Sequence, residues 1–292
     1  MNVSENLRCR VAIVFLSAVM LASSASAGPA HDPPASSEIA AAMQPYLDSY
    51  KLAGVIGLVA DKSGKVRYQN ILGYADVEQK RPMREDDVFW IASMSKMFVG
   101  ASIMMLVDER RISLDDPVTR FIPQLEKWMV IEEKDNSHIL LKTLARPVTV
   151  RHVLSHTSGL AGLSELQQQT GADSTPLKAR ALSSVTGPLQ SQPGEKYAYG
   201  NQGMNIAARI VEIVSGTPYE EFLQKRFLEP LWMTETTFWP SPNQIARLAG
   251  AYGPNPTKNG YLRGGGAFRW WAGNRAFDRD AGLPRWHGAL LH

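Results

Sequence analysis

The sequence FWIASMSKMFVG, residues 89–100, places a serine and a lysine three positions apart in an otherwise apolar run. Residues three apart on a helix lie on the same face, so a helix beginning at Ser93 would bring Ser93 and Lys96 together. A lysine in an apolar run has two explanations. It can extend its charged end into water along the helix surface, or it can serve as a base that removes the proton of Ser93.

The second explanation needs a neutral lysine amine. Burial disfavours the charged form, and a base must first lose its own proton. Four apolar neighbours are expected to shield the Lys96 amine from water: Trp90, Met94, Met97 and Phe98. At the start of a helix, the backbone N–H of Ser93 would also favour a developing negative charge.

A second pair of polar residues occurs in PGEKYAYGNQGMN, residues 193–205, where Tyr199 and Asn201 have the spacing Tyr-x-Asn. The apolar pattern that follows predicts a helix from about residue 200 to 214, ending at Gly216. A phenol next to an ammonium group can relay protons, and an amide can orient a substrate carbonyl.

Four blocks in this order resemble the serine β-lactamase-like family: FWIASMSK, VTVRHVLSHTSGL, PGEKYAYGN and EIVSGTPYEEFLQKRFLEPLWMTETTFWP. That family includes class C β-lactamases, penicillin-binding D-alanyl-D-alanine carboxypeptidases and related esterases. The resemblance covers about residues 36–261. It implies an α+β fold with an antiparallel sheet flanked by helices and a helical subdomain.

The resemblance also implies roles for single residues. Ser93 would be the acylated nucleophile, Lys96 its base, Tyr199 a proton relay and Asn201 a ligand of the substrate amide. The substrate would be a small-molecule or peptidoglycan-like amide, β-lactam or ester, and no metal or organic cofactor would be needed.

The sequence departs from the family after residue 261. The family has a third motif there, Lys or His followed by any small residue and Gly, which also supplies an oxyanion N–H group, and this chain has none. The strands that would complete the sheet also have no counterpart, so we expect a chain shortened or frameshifted at its C-terminal end. The alternative function is therefore a catalytically impaired or non-catalytic remnant that at most binds ligand.

The chain divides into four predicted segments. Residues 1–27 have the basic start, 12-residue apolar core and small-residue end of a signal peptide. Residues 28–37 form a flexible leader, 38–261 the incomplete domain and 262–292 an atypical tail. The only cysteine, Cys9, lies in the signal peptide. These features predict a secreted or periplasmic protein without disulfides and without a membrane span after signal cleavage.

The net charge of +3 comes from the tail, which contains five arginines and two aspartates. The predicted domain itself carries no large basic surface, so a nucleic-acid partner is not expected.

Local patterns predict the remaining elements. A helix is expected over residues 39–51 and a hairpin around DKSG, residues 61–64. Thr149 is expected to cap a helix that ends at Leu154, and residues 125–147 to form an irregular surface loop. Asp116 is expected to cap a short helix that begins at Pro117, and Thr217 is expected to form a capping box with Glu220.

The histidines raise two other kinds of site. His156 and Ser158 could belong to a hydrolase triad with an aspartate, but His156 stands where the first glycine of a G-x-S-x-G turn is required. His152 and His156 are four residues apart, yet no H-E-x-x-H motif surrounds them, so core or capping roles are favoured over metal binding.

Overall fold

The structure, a computed structural model, describes residues 33–160, 162 and 176–263. The predicted signal peptide, part of the leader and residues 264–292 lie outside these ranges. The α-helices are α1 (Ser37–Asp48), α2 (Ser95–Asp108), α3 (Val150–Leu154), α4 (Leu177–Ser183), α5 (Gln202–Ser215), α6 (Tyr219–Leu223) and α7 (Pro242–Ala246). The strands are β1 (Gly54–Ala60), β2 (Val66–Asp76), β3 (Arg81–Pro82), β4 (Val130–Lys134), β5 (Ile139–Lys142), β6 (Tyr252–Pro254) and β7 (Tyr261–Arg263). Within the described ranges, no helix has the length and apolar character needed to cross a membrane.

The N-terminal part is an antiparallel sheet of order β1-β2-β3 with α1 against it. The predicted hairpin is confirmed, with Gly54 opposite Gly73 and Ala60 opposite Val66. Helix α1 approaches β1 so closely that a Cβ at Gly57 would overlap Met43 Cε.

The main hydrophobic core lies among the helices, where α2 packs against α5. Ile103 and Leu106 of α2 and Ile206 and Ile210 of α5 are fully buried. The helical spacing of Met97, Ala101, Met104 and Met105 predicts a buried stripe on α2, and this prediction is wrong for Met97 and Met104. Both methionines are exposed, and α2 instead buries Val99, Ser102, Ile103 and Leu106.

The segment from residue 125 to 147 is not the predicted irregular loop. Strands β4 and β5 form an antiparallel hairpin in it. Leu125, Trp128 and Val130 are buried, and the Trp128 indole N–H donates to the carbonyl oxygen of Ser184 at 3.0 Å. Charged side chains on the solvent face of β4 concealed these buried positions in the sequence.

Two of the predicted helix boundaries are correct. Thr149 Oγ1 accepts from the N–H of His152 and caps α3. Gly216 ends α5 in the left-handed conformation, with a φ of 77°. Glycine adopts this conformation without steric cost, which is why it commonly follows the last helical turn.

Two other predicted caps are wrong. Asp116 does not cap a helix, because its carboxylate accepts from the N–H of Ser113 at 2.8 Å and from Arg120. Thr217 does not form a capping box with Glu220, because α6 begins later, at Tyr219. The N–H of Tyr219 instead donates to Glu212 Oε1 at 3.2 Å.

The hairpin of β6 and β7 lies at the end of the described chain and contacts the N-terminal part. The Tyr261 hydroxyl donates to the carbonyl oxygen of Leu52 at 2.6 Å, and Arg263 pairs with Asp76 at 3.3 Å. The predicted boundary between the domain and the tail, at residue 261, therefore falls inside β7. Strand β1 pairs only with β2 in the part of the chain that the structure describes, and its Leu58 and Val59 side chains are exposed.

Trp232 provides a first testable prediction, because it is 85% exposed and has a φ of 56°. Glycine at this position would relieve about 1–2 kcal/mol of backbone strain and lose about 0.4–1 kcal/mol through a more flexible unfolded chain. We expect Trp232→Gly to raise the melting temperature by about 1–4 °C in a thermal unfolding scan. The adjacent, exposed Leu231 lacks a positive φ, so Leu231→Gly is the matched control and should lower it. Equal decreases in both variants would contradict the prediction.

Candidate active site

Ser93 and Lys96 meet as the sequence predicts, although the helix begins two residues later than expected. Ser93 lies in a 3₁₀ turn, Ala92–Met94, that leads directly into α2. Lys96 Nζ donates to Ser93 Oγ at 3.0 Å. The turn leaves Ser93 exposed to solvent, where an incoming substrate can reach its oxygen.

The residue before Ser93 has an unusual backbone conformation. Ala92 has a φ of 46°, which costs a residue with a Cβ roughly 1–2 kcal/mol. Two hydrogen bonds keep the turn closed: Ser95 Oγ donates to the Ala92 carbonyl oxygen at 2.6 Å, and the Met94 N–H donates to that of Ile91 at 2.9 Å. Strained residues of this kind are concentrated at functional sites, because the surrounding structure must hold them in place.

The predicted enclosure of Lys96 is only partly present. Met94 and Met97 are 58% and 65% exposed, so these two side chains do not shield the amine from water as predicted. Phe98 packs instead against the helical core, with its ring 5.4 Å from that of Phe227. Lys96 itself is half-buried.

Tyr199 completes a cluster with Ser93 and Lys96. Its side chain is about half exposed, and Lys96 Nζ lies 5.0 Å from the centre of its ring. Hydrogen bonds to Ser93 and then Lys96, together with the charge of Lys96, hold the pKa of the Tyr199 phenol below its ordinary value. A phenol with a lowered pKa gives up and takes back a proton more readily at neutral pH.

Asn201 lies at the N-terminal end of α5, two residues after Tyr199. It occupies the N-cap position, but its side chain forms no capping hydrogen bond. The side chain is exposed. The structure therefore brings Ser93, Lys96 and Tyr199 into contact. The exposed Asn201 side chain follows Tyr199 by two residues.

The segment that carries Tyr199 is bound to the turn after α3 by a series of backbone hydrogen bonds. The N–H groups of Gln190, Gly194 and Ala198 donate to the carbonyl oxygens of Gly159, Thr157 and His156 respectively, each at 2.8 Å. A β-bridge between Gly162 and Gly200 extends the same contact. This long-range pairing, rather than any local pattern, determines where the backbone of the Tyr199 segment lies.

His156 is the residue of this site that the sequence reasoning did not assign. Its ring centre lies 4.8 Å from that of Tyr199 and 5.8 Å from that of Tyr197. Burial, followed by the charge of Lys96, lowers its pKa. The triad with Ser158 is not supported, because Ser158 is 2% exposed and its Oγ accepts from the Leu160 N–H.

A metal site with His152 and His156 is also unsupported. His152 Nδ1 accepts from the N–H of Thr149 as part of the α3 cap. Among the residues that the structure describes, no group of three or more His, Cys, Asp or Glu side chains is arranged to hold a metal ion.

The arrangement of helices and antiparallel strands is the β-lactamase/transpeptidase-like fold. The unliganded simvastatin synthase LovD of Aspergillus terreus superimposes with a TM-score of 0.68 at 23% identity. The superposition covers 87% of this chain and 64% of that one. At this identity the likeness shows the fold alone.

A sequence model of the Beta-lactamase family matches residues 39–280, and the chain belongs to that family. Esterase EstB of Burkholderia gladioli is 31% identical over 228 residues, which are 71% of this chain and 54% of that protein. The lovastatin esterase of Penicillium rubens is 29% identical over 228 residues, 75% of this chain and 57% of that protein. The chain thus spans about half the length of the curated relatives it matches.

Proposed function

We propose that this chain is a serine acyl hydrolase that works through an acyl-enzyme on Ser93. The observation that carries the proposal is the cluster in which Lys96 Nζ contacts Ser93 Oγ at 3.0 Å and lies 5.0 Å from the centre of the Tyr199 ring. A nucleophile within hydrogen-bond reach of a base, with a third group beside them, is the arrangement that covalent catalysis requires.

In this proposal Lys96 first loses a proton to solvent, and Ser93 Oγ then attacks the carbonyl carbon of the substrate while its own proton passes to the neutral Lys96 amine. The C–O bond to Ser93 forms, and the carbonyl electron pair moves onto oxygen. When that pair returns, the bond to the leaving group breaks. Tyr199 passes a proton to the departing oxygen or nitrogen and regains one from Lys96. Water then attacks the acyl-enzyme by the reverse path and releases the carboxylic acid.

A carboxylic ester is the substrate class we favour, because two of the relatives are named as esterases. The exposed side chains next to Ser93 in the chain are consistent with it, since Met94 and Met97 offer apolar surface to an acyl group. Asn201 would bind a polar group near the substrate carbonyl. An amide, a β-lactam or a D-alanyl peptide is the other outcome of the substrate test.

We further propose that the protein acts outside the cytoplasm. Arg8 and Arg10 precede the apolar run of residues 11–22, and the small residues Ala25 and Ala27 follow it. These are the three parts of a cleaved secretory signal.

The experiment is to incubate the protein with a fluorophosphonate and locate the adduct by intact-mass and peptide analysis. Ser93 Oγ would attack phosphorus, fluoride would leave and the serine proton would pass to Lys96. We expect one adduct per chain, on the peptide with Ser93. A p-nitrophenyl ester, a β-lactam and a D-alanyl dipeptide added as competitors would identify the substrate class. A folded sample that forms no adduct would favour the non-catalytic, ligand-binding alternative.

A further inference from the structure

We propose that His156 is a positioning residue that holds the Tyr199 phenol against Ser93 and Lys96 through contact between the two rings. This inference rests on the proposed function, because it assigns the residue that keeps the proton relay in place. His156 does not touch the reacting atoms in this assignment. It acts through Tyr199.

The contacts of the His156 ring support this role. Its centre is 4.8 Å from the Tyr199 ring, at an interplanar angle of 45°, and 5.8 Å from the Tyr197 ring, nearly edge-on at 77°. Both tyrosines are more than half exposed, at 51% and 68%. The imidazole is half-buried and lies against both rings, so it restrains where the Tyr199 ring lies.

The backbone at His156 is suited to a test of this role. His156 has a φ of 58°, a region in which glycine is favoured, and Gly159 in the same turn has a φ of 84°. The His156 carbonyl oxygen accepts from the N–H of Ala198, so this conformation is part of the contact with the Tyr199 segment. Glycine adopts this conformation without steric cost, so His156→Gly removes the ring without straining the turn.

The charges around the imidazole are compatible with the proposed packing. The ionisable groups that face it are Lys96, Tyr197 and Tyr199. Burial and the charge of Lys96 both lower the pKa of His156, which favours a neutral ring at neutral pH. A neutral ring can contact Tyr199 without adding a second positive charge beside Lys96.

The test uses two substitutions that separate the ring from the backbone. His156→Gly removes the ring and suits the positive φ, so the turn is expected to fold. His156→Phe keeps a ring and removes the imidazole nitrogens. His138→Gly, in the exposed turn between β4 and β5, is the matched control.

The first readout is the rate of fluorophosphonate acylation. We expect His156→Gly to acylate about 10- to 100-fold more slowly than the parent, as for a displaced catalytic group. His156→Phe should remain within about threefold of the parent because ring packing persists. Parent-like acylation of His156→Gly, or equal losses in both variants, would overturn the proposal.

The second readout does not depend on catalysis. The ultraviolet absorbance of tyrosinate is titrated in the parent and in each variant, and Tyr199→Phe identifies the contribution of Tyr199. If His156→Gly releases the phenol from Ser93 and Lys96, its pKa should rise toward the ordinary value of 10.0. An unchanged titration would overturn the positioning role even if the parent formed no adduct, so the two proposals can fail separately.

Discussion

Alanine in place of Ser93 is expected to slow acylation by a fluorophosphonate between about 10⁴- and 10⁶-fold, the range found when a member of a catalytic triad is removed. The physical reason is the loss of the oxygen that Lys96 Nζ contacts at 3.0 Å. Binding and orientation of the reagent remain, but no nucleophile is left to form the bond. Stopped-flow or gel-based labelling with excess reagent measures the rate.

Ser137→Ala is the matched control for this substitution. Ser137 lies in the exposed turn between β4 and β5, where its Oγ donates to Asp135. The control should acylate at the parent rate. An adduct that still forms on Ser93→Ala at a comparable rate would refute the assignment of Ser93 as the nucleophile.

Arginine in place of Lys96 is expected to slow acylation by about 10²- to 10⁴-fold, the contribution of a positioned general base. Arginine keeps the positive charge and can still donate a hydrogen bond to Ser93 Oγ. A guanidinium group cannot be deprotonated at neutral pH, so it cannot take the serine proton. The experiment therefore distinguishes two roles of Lys96: a general base, and a cation that only donates a hydrogen bond to Ser93 Oγ.

Lys142→Arg is the control, because Lys142 on β5 pairs with Glu132 at 3.3 Å and arginine can keep that exposed pair. The melting temperatures of both variants should match that of the parent. If Lys96→Arg reacts as fast as the parent, Lys96 has only a structural role.

The parts of the site that the sequence could predict are those that depend on local spacing. Ser93 and Lys96 are one helical turn apart, so their contact follows from helix geometry. Tyr199 and Asn201 precede an amphipathic helix with a clear glycine stop. Tyr199 and Ser93 are about a hundred residues apart in the chain, so local spacing could not predict their contact. Only the resemblance to a known family predicted that they share a site.

The errors also have physical causes. Helix α2 is apolar on nearly every face, so its sequence contained two plausible buried stripes, and packing against α5 selected the one with Ile103 and Leu106. His156 was missed because its contact with Tyr199 depends on backbone hydrogen bonds between two distant segments. Neither segment has the periodicity that would reveal such pairing.

The backbone pairing between the turn after α3 and the Tyr199 segment determines when the Tyr199 loop loses its conformational entropy, during folding or on substrate binding. Because the N–H groups of Gly194 and Ala198 are already bonded in the free protein, the loop that carries Tyr199 is ordered during folding. Substrate binding then has to order little of this loop, so it loses little free energy to that ordering. Affinity for a substrate is reduced less than it would be at a site assembled from mobile loops, and the geometry for proton transfer exists before the substrate arrives.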